Sequence, residues 1–196
     1  MKAKLLLLVL LVALMTNGSS CINEGFIVPV NLKINPCYNI NSGPIGPFGG
    51  IQTVYPVNLI DESFAENIKG ARYYDIQVTG NGSYAGGNVV GVVYVSLNGG
   101  AEQPLLLLGG GASHATPVPY SSFATPQSLL GTSPYVGTSA GGVAILTNAL
   151  NQLSTNPNTY ITLRAAGQVS GTAPVPSGLS VCIAVLAQAD ASLNNP

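Results

Sequence analysis

The residues with the clearest chemical meaning lie between positions 109 and 141. Gly137-Thr138-Ser139-Ala140-Gly141 fits G-x-S-x-G, a spacing that sets a serine hydroxyl on a tight strand-to-helix turn open to substrate. Upstream, Gly109-Gly110-Gly111 has the composition of a loop that aims backbone N–H groups at a developing oxyanion. The one histidine of the chain, His114, stands ahead of the serine. Flanked by Ser113 and Thr116, it lacks the partners that a metal ion needs. Asp61, Glu62 and Glu66 lie close together but without the alternating oxygen ligands and central glycine of a calcium loop. As acids at the start of a short helix they complement its dipole. No metal and no cofactor is expected.

The two glycine motifs resemble those of patatin-like lipases and hormone-sensitive-lipase-like esterases, over residues 109–142. The resemblance implies Ser139 as nucleophile and the amides of Gly109-Gly110-Gly111 as oxyanion donors. It also implies an acid and a histidine after the serine, or an aspartate in a D-G-[GA] setting. The one acid after Ser139 is Asp190, in Ala189-Asp190-Ala191, and His114 precedes it. The catalytic set is therefore incomplete. The residues themselves give Ser139 a second role, as N-cap of a helix starting near Gly141. Catalysis by Ser139 stays as an alternative to a non-enzymatic reading.

Three cysteines carry the remaining reactive chemistry. Cys37 closes the first expected strand and Cys182 lies in the last, so a Cys37–Cys182 disulfide forms if those strands are neighbours. Cys21 is left over. It admits three readings: a lipid-bearing first residue, a thiol for an intermolecular bond, or a free thiol. Tyr120, Phe123 and Tyr135 sit in a long Gly/Pro/Ser/Thr-rich stretch and are the expected contacts of a binding loop. Asn81-Gly82-Ser83 is a formal N-glycosylation sequon, and a hairpin turn gives the same residues a sufficient reason to exist.

The elements that must position these residues follow a leader. Lys2 and Lys4 precede an apolar run from Leu5 to Met15, then Thr16 to Ser20 supply a small, polar exit. That is a signal peptide cut after Ser20, too short to span a bilayer. Residues 1–20 are the leader and 21–196 a single β-rich domain. Charge is scarce: 7% of residues are Asp, Glu, Lys or Arg, against roughly 25% in an ordinary domain. Without the leader, Lys33, Lys69, Arg72 and Arg164 face seven acids, a net charge of about −3. Four scattered cations do not make a nucleic-acid footprint or an electrostatic membrane patch. A surface of Asn, Gln, Ser and Thr repels its like weakly, which favours association.

Period-two alternation predicts strands at 26–35 and 73–79, a β-branched run predicts one at 89–97, and a short apolar run one at 103–108. Residues 160–169 and 179–189 read as the last two strands, with an extended segment at 51–60. Residues 43–50 read as a turn-rich loop. Strands 73–79, 89–97 and 103–108 read as an antiparallel meander. Ser63-Phe64-Ala65-Glu66 has capping-box form and predicts a short helix stopped by Gly70. Val143, Leu146, Leu150 and Leu153 predict a longer helix over 141–153. The fold class expected is mainly β: an antiparallel β-sandwich, jelly-roll-like, with one short and one longer helix packed on it. The function expected is a secreted or cell-surface structural or interaction protein. Its partners would be copies of itself or other cell-surface proteins. The alternatives are a monomeric extracellular ligand- or glycan-binding module and the Ser139 hydrolase.

Overall fold

A computed structural model of the chain describes residues 26–55, 68–109, 116–128, 133–152, 155–156 and 158–193. Among these residues eleven strands form two antiparallel sheets. The strands are β1 (Phe26–Ile34), β2 (Cys37–Asn39), β3 (Gly43–Val54), β4 (Ile68–Asn81), β5 (Gly87–Leu97) and β6 (Gln103–Leu108). They continue with β7 (Val118–Pro119), β8 (Gln127–Ser128), β9 (Val136–Thr138), β10 (Ile161–Val175) and β11 (Ser180–Leu193). One α-helix, α1 (Ala140–Gln152), joins β9 to β10, and a 3-10 turn spans Tyr120–Phe123.

Sheet A runs β1-β11-β4-β8, with β2 continuing the line of β1 along β11. Sheet B runs β3-β10-β5-β6-β9, with β7 also on β5. The pairing is nested. The first strands pair the last, β3 pairs β10, β4 pairs β8, and β5 pairs β6. A long ribbon paired in this way and rolled so that β4 meets β11 and β5 meets β10 is a jelly roll. The expected sandwich is the observed one. The expected meander is corrected: β4 lies in sheet A and β5 in sheet B, so the turn between them crosses from one layer to the other.

Alternation explains the core. Leu32, Ile34, Ile76, Val78, Val181, Ile183 and Val185 point inward from sheet A. Val89, Val93, Val95, Ile161, Leu163 and Val169 meet them from sheet B. Each fully buried aliphatic side chain contributes about 1.5–3 kcal/mol relative to exposure. Phe48 comes from the edge strand β3, and its ring lies over Gly167 and Gly91, its partners in register across β10 and β5. A Cβ on those glycines would come within 2.3 Å and 2.9 Å of the Phe48 ring. Glycine there is a slot for the aromatic ring.

Residues 43–50 depart from the expected loop and form most of β3. They sit at a sheet edge, where Pro44 and Pro47 need not donate to a ladder on both sides. Their own alternation buries Gly46 and Phe48 and exposes Ile45, Pro47 and Gly49. The capping-box residues 63–66 lie outside the described residues, and Ile68–Gly70, expected to end that helix, already belong to β4. Helix α1 closes the side of the sandwich between β4, β5 and β6, burying Gly142, Leu146, Ala149 and Leu150. No helix among the described residues is long and apolar enough to cross a membrane.

Candidate functional site

Ser139 does sit at a strand-to-helix junction. β9 precedes it, and the N–H of Val143 donates to its carbonyl at 3.0 Å, the first bond of α1. Its own N–H donates to the carbonyl of Leu105 at 3.2 Å. The strand before it is an antiparallel edge strand of a sandwich, whereas the implied elbow follows a parallel strand between helices. Of the two glycines after the serine, Gly142, just outside the motif, has a packing cause. A Cβ on Gly142 would lie 2.1 Å from the Pro104 carbonyl oxygen, so the helix can approach β6 only with glycine there. Gly110, Gly111 and His114 lie outside the described residues, as do Asp61, Glu62 and Glu66. Of the described acids, Asp75 accepts from Ser128 Oγ and Gln77 Nε2, each at 2.8 Å. Glu102 is engaged by Arg164. Asp190 lies on β11 opposite Pro29 and Gly70, in the other sheet from β9. The structure brings no acid to Ser139 by a hydrogen bond among the described residues.

Two of the three expected binding-loop aromatics lie in the interior. Tyr120 and Phe123 are each 2% exposed and belong to the core. The Tyr120 hydroxyl donates to the carbonyls of Asn81 and Ser180 at 2.7 and 2.8 Å, stitching the 3-10 turn to β4 and β11. Burial pushes this hydroxyl up to about 12. Tyr135 is half-buried and meets Phe123 edge-on at 6.5 Å. Only a face of Tyr120 reaches a shallow pocket of about 230 Å³, lined also by Gly82, Ser83, Tyr84, Ala85, Ser121 and Ala124. Tyr84 is tied down at the same end by its bond to the Ala173 carbonyl.

Cys37 and Cys182 are bonded. They stand directly opposite on β2 and β11 with Cα atoms 4.0 Å apart, and the bridge closes 145 residues of separation. Thr79 continues that row on β4, and its inward neighbours Val78 and Gly80 place the disulfide on the outer face of sheet A. Cys21 lies outside the described residues.

The surface that sequence reasoning missed is the outer face of sheet B. Because Phe48, Gly167 and Gly91 face inward, the rows on either side face out. One row is Gly49-Ala166-Val92-Leu107 and the other Pro47-Gln168-Val90. Ile51 and Ile45 on the edge strand are 65% and 54% exposed. Arg164, between Ile51 and Tyr94, stacks 4.2 Å over the Tyr94 ring and holds Glu102 by bonds of 2.6–3.0 Å. That contact lowers the Glu102 carboxyl below its usual range. The pair cancels, so this face has no net field and carries apolar side chains among the neutral polar Thr162, Gln168 and Ser170 of β10. The missed signal was the alternation Ile45-Pro47-Gly49-Ile51, hidden by glycines that read as turns.

No family model matches the chain, and no curated protein matches it. Among solved structures it is similar to a chain of Desmodium yellow mottle tymovirus. Identity there is 10% over 86% of this chain and 91% of that one, with a TM-score of 0.32. A chain of Turnip yellow mosaic virus is similar at 10% identity over 86% of this chain and 85% of that one, with a TM-score of 0.27.

Proposed function

We propose that the protein is a secreted or cell-surface structural protein that associates with copies of itself through the outer face of sheet B. The observation that carries this reading is the exposed apolar row on β3, continuous with Ala166, Val92 and Leu107. A two-fold contact sets one patch against itself, so any net charge on it would repel its own image. Here the Arg164–Glu102 pair removes that repulsion. Isolated exposed isoleucines need no explanation, but an apolar row that crosses four strands (Gly49-Ala166-Val92-Leu107) beside Ile45 and Ile51 on an edge strand is a place for association.

The test is light scattering on purified residues 21–196 after size exclusion, with and without reductant. Oligomers are expected, and the double variant Ile45→Lys/Ile51→Lys should be monomeric with an unchanged circular dichroism spectrum. A wild-type monomer at every concentration overturns the reading. Loss of oligomers both on reduction and in Cys21→Ser, which keeps the Cys37–Cys182 bridge, would assign the contact to Cys21. The pocket beside Tyr84 and Tyr120 favours a second reading, a monomeric ligand- or glycan-binding module. Glycan binding that is abolished by Ser121→Trp would support it.

A further inference from the structure

We infer that Asn81 is an N-linked glycan acceptor and that the glycan occupies the outer face of sheet A. The inference rests on the secretory reading above. Asn81-Gly82-Ser83 is an acceptor triplet. A second one, Asn17-Gly18-Ser19, departs with the leader. The structure gives the triplet what an acceptor needs. Asn81 ends β4 and is exposed, and Gly82 takes φ +83° to turn the chain, leaving Ser83 exposed.

The surroundings have room. Across the sheet Asn81 is in register with Ser180, which is in register with Asn39, a row of small polar side chains. Strand β8 pairs β4 only at Gln77 and Val78 and so stops short of Asn81. The Asn81 Nδ2 donates to Ser180 Oγ at 3.2 Å and to Cys182 Sγ at 3.0 Å. A glycosylated carboxamide keeps one N–H, which is enough for one of these weak outer-face bonds. The fold therefore tolerates the modification.

The step itself is a substitution without redox change. Asn81 Nδ2 attacks the anomeric carbon of a lipid-linked pyrophosphoryl oligosaccharide. The N–C bond forms, the bond from that carbon to the pyrophosphate oxygen breaks, one Nδ2 proton passes to a base, and the lipid pyrophosphate leaves. The sugar would stand beside Cys37–Cys182 and screen it from solution thiols. It would also keep sheet A out of contacts between copies, leaving sheet B for them.

The full chain, leader included, is expressed through a eukaryotic secretory pathway and recovered from medium and cells. Intact mass then reads the N-terminus and the glycan together. The expected product begins at Cys21 and carries extra mass that peptide-N-glycosidase removes. Ser83→Ala, which leaves the Asn81 side chain in place, should lose that mass, and Ser83→Thr should keep it. A secreted, leader-free chain of bare polypeptide mass overturns the site and leaves the secretory reading standing. A chain retained in the cells with its leader attached overturns the secretory reading and the site with it.

Discussion

Tyrosine hydroxyls hold the two layers and their turns in place. Tyr38, rooted in sheet A, donates to the carbonyl of Leu163 in sheet B at 3.1 Å. Tyr120 does the same for the turns at one end of the roll. Tyr120→Phe should cost about 1–2 kcal/mol, because the two carbonyls lose their donor. A fall in the urea midpoint with unchanged slope checks this. Burial pushes the hydroxyls of both Tyr38 and Tyr120 from 10.0 to about 12. Their folded values exceed the unfolded ones, so the unfolded chain releases its protons first as pH rises. Stability is then intact below pH about 10 and falls between about 10 and about 12. Denaturation midpoints across that interval test the sign, and the Tyr120→Phe variant should show a shallower fall.

At the scale of elements, helix α1 offers a sharp contrast. A methyl on Gly142 meets backbone atoms at 2.1 and 2.5 Å, which cannot move without displacing β6. Gly142→Ala should cost about 3 kcal/mol. A methyl on Gly141 meets Gln103 Oε1 at 3.2 Å, the end of a flexible side chain. Gly141→Ala should be neutral or stabilising by up to about 1 kcal/mol. Thermal unfolding of the two variants separates them. The same element shows what the sequence made legible. β6 was readable to the residue because it is a continuous apolar run bounded by glycines, and α1 to within one residue at each end because its apolar residues recur at helical spacing. β3 was not, because its alternation is carried by glycine and proline, residues whose usual meaning is a turn. Tyr120 and Phe123 were misplaced because a Pro- and Ser-rich stretch reads as surface. In fact it dips into the core for one 3-10 turn. Ser139 matched a catalytic spacing in a chain with 24 glycines, and the glycine that close packing of the helix requires is Gly142, one residue beyond the motif.

At the scale of the whole molecule, the disulfide clamps the strands on which the nested pairing closes. Strand β2 contributes only three residues to the ladder, yet Cys37 fixes it to β11. Closing so long a loop is worth about 5 kcal/mol in the chain-entropy picture. The Cys37→Ala/Cys182→Ala double variant should lose about 2–5 kcal/mol in urea unfolding, and reductant should no longer shift its midpoint. The glycines of the Phe48 slot act at this scale too, since they let one ring from an edge strand serve three strands of sheet B.

Nested pairing also sets a clock. Strand β11 is central in sheet A, between β1 and β4, though it is the last described strand to be synthesised. Until residue 193 has left the ribosome, β1 and β4 have no strand between them, and the inward side chains of sheet B lack Val181, Ile183 and Val185 from β11. Vectorial synthesis therefore leaves sheet A unfinished until its central strand arrives last.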